Sequence, residues 1–220
     1  MKHNACAAAA LAMLVLTGCS TPFTDVGRIS DVTIAAAPSG AAGKSFVYER
    51  VKSQGTDLDV MVLHGLACVE SSADRAAQYA TGLGFAASEP GLAKSVQEQF
   101  AQAGYGDVRV AEPGAAPARQ PTAYRITGTV TQTHMRICLA KTGSGNYADG
   151  KGQASLTVEW RIFAPGRAAP VYTTAQPGFA EVSSTTLGAN RLLWQQAFAR
   201  SVRGLLADQG FRAVVAGAAK

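Results

Sequence analysis

Beyond its first 16 residues, the sequence has no apolar run near the roughly 20 residues that a membrane-spanning helix needs. It also lacks a strong charge of either sign, since 20 Lys and Arg against 15 Asp and Glu give a net charge of +5. Such a weak excess requires no nucleic-acid partner. We find no internal repeat with a period of roughly 20–50 residues, which argues against a solenoid. These absences favour a globular body that does not bind nucleic acid.

Recognisable catalytic motifs are missing as well. Of three histidines, only His64 and His134 lie beyond the N-terminal segment, and neither stands in a protease or lipase signature. Gly143-Ser144-Gly145 lacks the Gly-x-Ser-x-Gly spacing of a nucleophile elbow. Gly43-Lys44-Ser45 resembles the end of a phosphate-binding loop, but Pro38 stands where that loop requires glycine. We therefore predict no catalytic residues, no cofactor, no metal and no enzymatic activity.

The N-terminus carries the most specific signal in the chain. Lys2 supplies a positive charge, an apolar run extends from Ala5 to Leu16, and small residues follow. This arrangement is typical of a secretory signal peptide, here residues 1–18. Leu16-Thr17-Gly18-Cys19 resembles the lipobox of bacterial lipoproteins, which consists of an aliphatic residue, a small residue, Gly or Ala, and then Cys.

The lipobox resemblance implies a lipid anchor. Cys19 would receive a diacylglycerol and become the first residue of the mature protein, and two or three acyl chains would hold that protein stably on a membrane. In that family the residue after the cysteine directs sorting, and Asp there retains a protein at the inner membrane. Ser20 therefore indicates the outer membrane, with the body in the periplasm or at the cell surface.

The two remaining cysteines, Cys68 and Cys138, are an even pair in an expected oxidising compartment, so we predict a disulfide between them. Two separate buried thiols are the alternative. His64 and His134 each precede one of these cysteines by four residues, which raises the possibility of a Cys2His2 zinc site. Both pairs lie in predicted strands, where residues four apart are about 13 Å from each other, too far to share one metal ion.

Removal of residues 1–18 leaves 19 basic and 15 acidic residues, a net charge of +4. We predict a lipidated Cys19 with a flexible tether over residues 19–43 and a single α+β domain over residues 44–220. That domain would be a mainly antiparallel sheet covered on one face by two helices. The predicted strands are Phe46–Val51, Val60–Val69, Asp107–Val110, Tyr124–Leu139, Leu156–Ile162 and Val171–Thr174.

Periodicity predicts the helices. Ser88-Glu89-Pro90 is a typical helix start, and Leu92, Val96 and Phe100 follow it at four-residue spacing. A second helix of about twenty residues would begin after possible caps at Ser184–Thr186 and end at Gly210. A change of the buried face between Val130 and Met135 indicates a β-bulge. A further short helix is expected within residues 71–86.

The order of these elements resembles that of small α+β periplasmic lipoproteins, namely the auxiliary lipoproteins of ABC-type transport systems and the curli-secretion type. The resemblance is carried by the strand Leu156–Phe163, the turn and strand that lead to Thr174, and the helix Leu187–Leu206. It implies a non-enzymatic docking, assembly or transport-accessory factor, which would contact the membrane through its lipid and bind an envelope protein. The alternative is an envelope hydrolase whose active site would gather around His64 or His134.

Overall fold

A computed structural model of the chain describes residues 32–53, 58–64, 68, 70–71, 85–111, 122–140 and 149–217. The predicted cleavage site and Cys19 lie outside these residues, and so does most of the helix expected within residues 71–86. After a short 3-10 helix at Ser39–Ala41, the described strands and α-helices, in chain order, are β1 (Phe46–Ser53), β2 (Leu58–His64), β3 (Glu70–Ser71), α1 (Phe85–Gln102), β4 (Val108–Val110), β5 (Tyr124–Ala140), β6 (Asp149–Phe163), β7 (Tyr172–Leu187), α2 (Ala189–Ala207) and α3 (Gln209–Ala216).

The long strand β5 is the centre of the sheet. On one side it pairs antiparallel with β6 along its whole length, and β7 pairs antiparallel with β6 beyond it. On the other side β1 and β2 lie end to end, each parallel to β5. β4 extends the sheet parallel to β1, and β3 extends it antiparallel to β2. The predicted α+β class is confirmed, although the sheet is mixed because β1, β2 and β4 form parallel pairs.

A bulge in β5 lets this strand serve both β1 and β2. The pairing with β6 shifts register between Val130 and Gln132. Before this shift the even-numbered residues from Tyr124 to Val130 are buried, and after it the odd-numbered residues from Thr133 to Leu139 are buried. The extra residue restores the contact of the strand with the core after the shift. The bulge that the sequence predicted is therefore confirmed.

Within the described residues three α-helices, rather than the two predicted, pack on one face of the sheet. α2 lies over β6 and β7, α1 packs against β1, β4 and α2, and α3 follows α2 after a one-residue break. The helices and the inner face of the sheet enclose the main core. At one end of this core the aromatic rings of Phe46, Phe100, Tyr105, Tyr124 and Phe211 form a cluster, with centroids of neighbouring rings 5.2–6.1 Å apart.

Several predicted boundaries were wrong. α1 begins at Phe85, so Pro90 lies inside the helix and not at its first position, and the helix lacks one main-chain donor there. β7 continues to Leu187, thirteen residues beyond the predicted end at Thr174. The expected caps at Ser184–Thr186 lie in that strand, and the N-cap of α2 is Gly188 in the left-handed conformation.

Gly210 does not end the second helix, as expected from the sequence, but lies inside α3. α2 already ends at Ala207, and the next residue, Asp208, caps α3 by accepting a hydrogen bond from the main-chain N–H of Phe211 at 2.9 Å. A Cβ at position 210 would lie 2.4 Å from the Tyr172 hydroxyl oxygen, so glycine is required there for close packing. Gly210 is thus explained by close packing against Tyr172 and not by the end of a helix.

A buried hydrogen-bond chain joins the sheet to α2. The indole Nε1–H of Trp160 donates to Ser201 Oγ at 3.1 Å, and the Ser201 hydroxyl donates to the main-chain oxygen of Gln176 at 3.0 Å. Trp160 and Ser201 are both fully buried, so each polar group needs its partner. These two hydrogen bonds fix the position of α2 relative to both β6 and β7.

Residues 32–45, which we call the strap, lie along the body before β1. The main-chain N–H of Ala37 donates to Ala103 O at 2.7 Å, and the Arg212 guanidinium donates to Ala36 O at 2.6 Å. Lys44 donates to Val215 O and places its ammonium 5.4 Å from the centroid of the Tyr124 ring. The later part of the predicted tether is thus held on the body by Ala103, which directly follows α1, and by α3.

Candidate functional site: the open face of the sheet

His64 lies on the helix side of β2, the same side as the buried Val62, whereas His134 lies on the sheet face opposite the helices, which we call the open face. Among the described residues no helix covers this face. Its members alternate along each strand with the buried residues, and they include Asp59, Met61, Leu63, Arg125, Thr127, Thr129, His134, Arg136, Cys138, Gln153, Ser155, Thr157, Glu159, Arg161 and Thr173. Antiparallel sheets commonly have one polar face and one face that packs on the core.

Asp59, His134 and Arg136 form an ion cluster on this face. The two terminal nitrogens of Arg136 donate to the two carboxylate oxygens of Asp59 at 2.9 Å and 2.6 Å. His134 Nδ1 lies 3.3 Å from Asp59 Oδ2. The register brings them together, because Asp59 is the cross-strand partner of His134 and Met61 that of Arg136. The Asp59 and His134 side chains are half-exposed, at 51% and 49%.

The hydrogen bonds from Arg136 lower the pKa of Asp59 below its ordinary value of 3.8. Burial of the carboxyl acts in the opposite direction, and the hydrogen bond with His134 adds to the lowering. The two-pronged contact matches the planar guanidinium to the planar carboxylate. This contact keeps Asp59 ionised and occupies both of its carboxylate oxygens. The role of the Asp59 side chain is therefore to hold β2 against β5.

The cluster has part of the geometry of a hydrolase site. Asp59, His134 and Ser155 are neighbours across three adjacent strands, in the order that a Ser-His-Asp relay would need. Among the described residues, however, the Ser155 hydroxyl makes no hydrogen bond to His134, and Asp59 is already bound by Arg136. Asp59, His134 and Ser155 are therefore neighbours on the sheet, but they do not form the hydrogen bonds of a catalytic triad.

The disulfide expected between Cys68 and Cys138 is present, with a Cα–Cα distance of 5.5 Å. Cys138 is opposite Leu63 on β2, and the three residues form a small buried cluster apart from the main core. Cys68 has a φ of 55°, an unusual conformation for a residue with a side chain. Because both sulfurs are in the bridge, neither is a thiolate ligand for zinc.

The structure does not bring the two histidines together in one site. His64 pairs with Leu139 of β5 and with Glu70 of β3. His134 pairs with Ser155, on the part of β5 that follows the bulge. Among the described residues, no group of three or more His, Cys, Asp and Glu side chains is placed to bind a metal ion.

Two more ion pairs lie nearer the start of β5. Arg125 Nη1 donates to Glu49 at 2.9 Å, and the Arg125 guanidinium stacks 4.3 Å from the centroid of the Phe163 ring. Arg161 pairs with Glu159 at 2.6 Å. Because Arg125 and Arg161 each have a carboxylate partner, these two arginines add little net charge to the open face.

A polar cluster that sequence analysis missed connects β7 with the corner between α2 and α3. The Tyr172 hydroxyl donates to Asp208 Oδ1 at 2.6 Å, and Gln176 Nε2 donates to Oδ2 at 3.1 Å. Burial, followed by the hydrogen bond with Asp208, raises the pKa of Tyr172. The contact spans more than thirty residues of sequence, and the only local signal was an Asp two residues before a glycine. This cluster is structural, since Asp208 also caps α3.

The Asp59–Arg136 pair predicts a pH dependence of stability. With the pKa of Asp59 below 3.8 in the folded state, the ion pair stabilises the protein above about pH 4 and is lost as the pH falls through the folded-state pKa. Because Asp59 is half-exposed, we expect Asp59→Asn to cost less than about 1 kcal/mol at pH 7 and a smaller amount at about pH 2. Urea denaturation at both pH values measures this, with Glu98→Gln as a control for an exposed helical pair. An equal cost at both pH values would contradict the electrostatic assignment.

The fold and its open face define an α+β protein with a mixed seven-stranded sheet, one polar face and a disulfide at the edge of that face. No helix within the described residues has the length and hydropathy needed to span a membrane. No protein-family model matches the chain, and no curated protein matches its sequence.

Solved structures with a similar arrangement include protein XCC0632 from Xanthomonas campestris, of the family DUF330, at 15% identity and a TM-score of 0.38, covering 80% of this chain and 89% of that one. The PelC dodecamer from Paraburkholderia phytofirmans matches at 16% identity and a TM-score of 0.36, over 78% and 94% of the two chains. A putative neuraminyllactose-binding hemagglutinin homolog from Helicobacter pylori matches at 11% identity and a TM-score of 0.33, over 84% of this chain and 95% of that one.

Proposed function

We propose that this chain is a lipid-anchored lipoprotein of the bacterial outer membrane that acts as a non-enzymatic docking, assembly or transport-accessory factor. Its body would bind an envelope protein while Cys19 carries the lipid. The observation that carries the proposal is the Cys68–Cys138 disulfide, which lies in the same chain as the Leu16-Thr17-Gly18-Cys19 sequence. Stable disulfides belong mainly to proteins outside the cytoplasm, and that is where a lipobox cysteine is acylated.

The chemistry of the open face supports a role in binding rather than in catalysis. Its carboxylates at Glu49, Asp59 and Glu159 are each paired with an arginine. Paired charges of this kind give a surface specificity for a complementary partner. The neighbouring threonines add hydroxyl donors and acceptors to the same surface.

Replacement of the lipobox cysteine tests the anchor. We expect Cys19→Ser to abolish incorporation of radiolabelled palmitate and to leave the protein as uncleaved precursor or as released body. Cys6→Ser is the matched control, because that cysteine lies in the predicted signal peptide and its loss should change neither labelling nor fractionation. Palmitate labelling that persists in Cys19→Ser would refute the anchor.

Sorting is measured with the same preparations. Wild-type protein should fractionate with the outer membrane, and Ser20→Asp should move it to the inner membrane, since Asp after the lipid-bearing cysteine is the retention signal of the lipoproteins that this lipobox resembles. Recovery of wild-type protein from the inner membrane alone would refute the proposed location while leaving lipidation intact.

A second candidate function is an envelope hydrolase, favoured by the alignment of Asp59, His134 and Ser155 across adjacent strands. For the proposed non-enzymatic role we expect the mature protein to show no esterase, peptidase or glycosidase turnover. It should also show no labelling of Ser155 by a fluorophosphonate probe. His134→Ala and His64→Ala should then alter stability at most. Labelling of wild-type protein that is lost in both Ser155→Ala and His134→Ala would establish the hydrolase instead.

A further inference from the structure

The two methionines beyond the predicted signal peptide lie on opposite faces of the sheet. Met135, on β5, is fully buried in the main core. Met61, on β2, has the opposite orientation and is 38% exposed on the open face. A small reagent in the solvent can therefore reach the Met61 thioether, whereas it meets Met135 only if the core opens.

Met61 lies between the ion cluster and the disulfide. Its cross-strand partner on β5 is Arg136, a member of that cluster. The next pair along the same face is Leu63 opposite Cys138, which is bound in the disulfide. Neighbouring strands are about 4.8 Å apart, so the side chains of Met61 and Arg136 are direct neighbours. Any new polar atom on Met61 would therefore form next to the Arg136 guanidinium.

Arg136 has donors that its contact with Asp59 does not use. A guanidinium carries five N–H groups. Nη1 donates to Asp59 Oδ1 and to the main-chain oxygens of Asp59 and Met135, and Nη2 donates to Asp59 Oδ2. Within the described part of the chain, the Nε–H and the second N–H of Nη2 make no hydrogen bond. An acceptor on Met61 can thus be bound without displacing the Asp59 carboxylate.

We propose that Met61 is an oxidation site, and that the oxygen of its sulfoxide accepts a hydrogen bond from Arg136. The oxidant is a peroxide, of which hydrogen peroxide is the simplest. The sulfur lone pair attacks one peroxide oxygen, the O–O bond breaks, and the proton of the transferred OH passes to the leaving hydroxide, which departs as water. The sulfur loses two electrons and the peroxide gains them.

The sulfoxide changes what Met61 can do on the open face. A thioether is a weak acceptor, whereas a sulfoxide is polar and has an oxygen that accepts a hydrogen bond. With that oxygen bound to Arg136, the ion cluster gains a fourth member and a further link between β2 and β5. Because reductases convert methionine sulfoxide back to methionine, the modification is reversible. This inference goes beyond the proposed function and does not rest on the lipid anchor.

Peptide mass spectrometry of the purified wild-type protein after hydrogen peroxide treatment tests the site. We expect Met61 to gain oxygen at least about tenfold faster than Met135 in the folded protein, because Met135 reacts only through opening of the core. In guanidinium the two rates should become equal, which is the control for intrinsic reactivity. Oxidation of Met135 as fast as that of Met61 in the folded protein would overturn the assignment.

Nuclear magnetic resonance of labelled arginine side chains tests the hydrogen bond. On oxidation of Met61 we expect the Nε–H or the free Nη2–H of Arg136 to exchange with water about tenfold more slowly, the factor for one hydrogen bond from a charged donor. Arg161, which pairs with Glu159 on β6, is the internal control and should not change.

Two variants at position 61 are matched to this measurement. Met61→Gln carries an amide oxygen, so it should slow the exchange of Arg136 without peroxide. Met61→Leu has a similar volume but no acceptor, so peroxide should leave the exchange of Arg136 unchanged in this variant.

The outcomes separate the two parts of the inference and keep both apart from the proposed function. A sulfoxide at Met61 that leaves the exchange of Arg136 unchanged would overturn the contact with Arg136. Equal slowing at Arg136 and Arg161 would overturn it too, since a local hydrogen bond cannot act on both. Neither measurement depends on palmitate, so loss of the anchor proposal would leave this inference standing.

Discussion

Reduction of the Cys68–Cys138 disulfide is expected to lower the free energy of unfolding by up to about 4 kcal/mol. The bridge joins residues 70 positions apart, so in the unfolded chain it restricts a long loop, and the loss of that restriction favours unfolding. It also attaches Cys68 to β5 beside Leu63, in a small buried cluster that is separate from the core under α1, α2 and α3.

Guanidinium unfolding of wild-type protein with and without a phosphine reductant measures this effect. The matched control is the Cys68→Ala/Cys138→Ala double variant, which should be about as unstable as reduced wild type and insensitive to the reductant. An unfolding free energy that does not change on reduction of wild type would contradict the expectation, as would two alkylatable thiols in the natively exported protein.

Gly178→Ala is expected to cost about 3 kcal/mol or more, because α2 packs directly on β7 at this position. A Cβ at residue 178 would lie 1.9 Å from the main-chain oxygen of Ala197, and a main-chain atom in mid-helix cannot turn aside. α2 would have to move away, which would disturb the buried hydrogen bonds of Ser201. Overpacking of this kind commonly costs about 1–3 kcal/mol, and the loss of buried hydrogen bonds adds to it.

Gly91→Ala provides the comparison, since Gly91 lies on α1 against the same helix. There a Cβ would meet the Nε2 of Gln195 at 1.9 Å, but this atom is the end of a flexible side chain that can rotate away. Alanine also gains up to about 1 kcal/mol of helix propensity over glycine, so Gly91→Ala should be close to wild type in stability. Urea unfolding of both variants measures the difference. Similar costs at the two positions would show that α2 does not pack on β7 as described.

Local patterns predicted the elements whose environment is uniform along their length. The alternation of Leu156, Val158, Trp160 and Ile162 predicted β6, and all four side chains are buried. The spacing of Leu92, Val96 and Phe100 predicted α1 for the same reason. Even the bulge of β5 was visible, because the buried face has to change when one extra residue enters a strand.

The second half of β7 gave no such pattern. Pro177 and Gly178 interrupt it, and the residues from Ser183 to Thr185 are exposed without alternation. β7 pairs only with β6 among the described strands, and such an edge position tolerates proline. Gly178 is there because the backbone of α2 approaches it. Both residues were consistent with a loop until the helix that packs on them was known.

The sequence by itself determined the α+β class, the strong strands and helices, and the Cys68 and Cys138 candidates for a bridge, and it is the source of the proposal of a lipid at Cys19. These depend on residue type and short spacing, which record burial period and local chemistry. Only the tertiary structure decided the parallel pairing of β1 and β2 with β5, the meeting of Asp59 with Arg136, and the Asp208 cluster. Each of these joins residues far apart in the chain, and strand register, which places them, is set by the packing of the whole sheet against its helices rather than by any neighbouring residue.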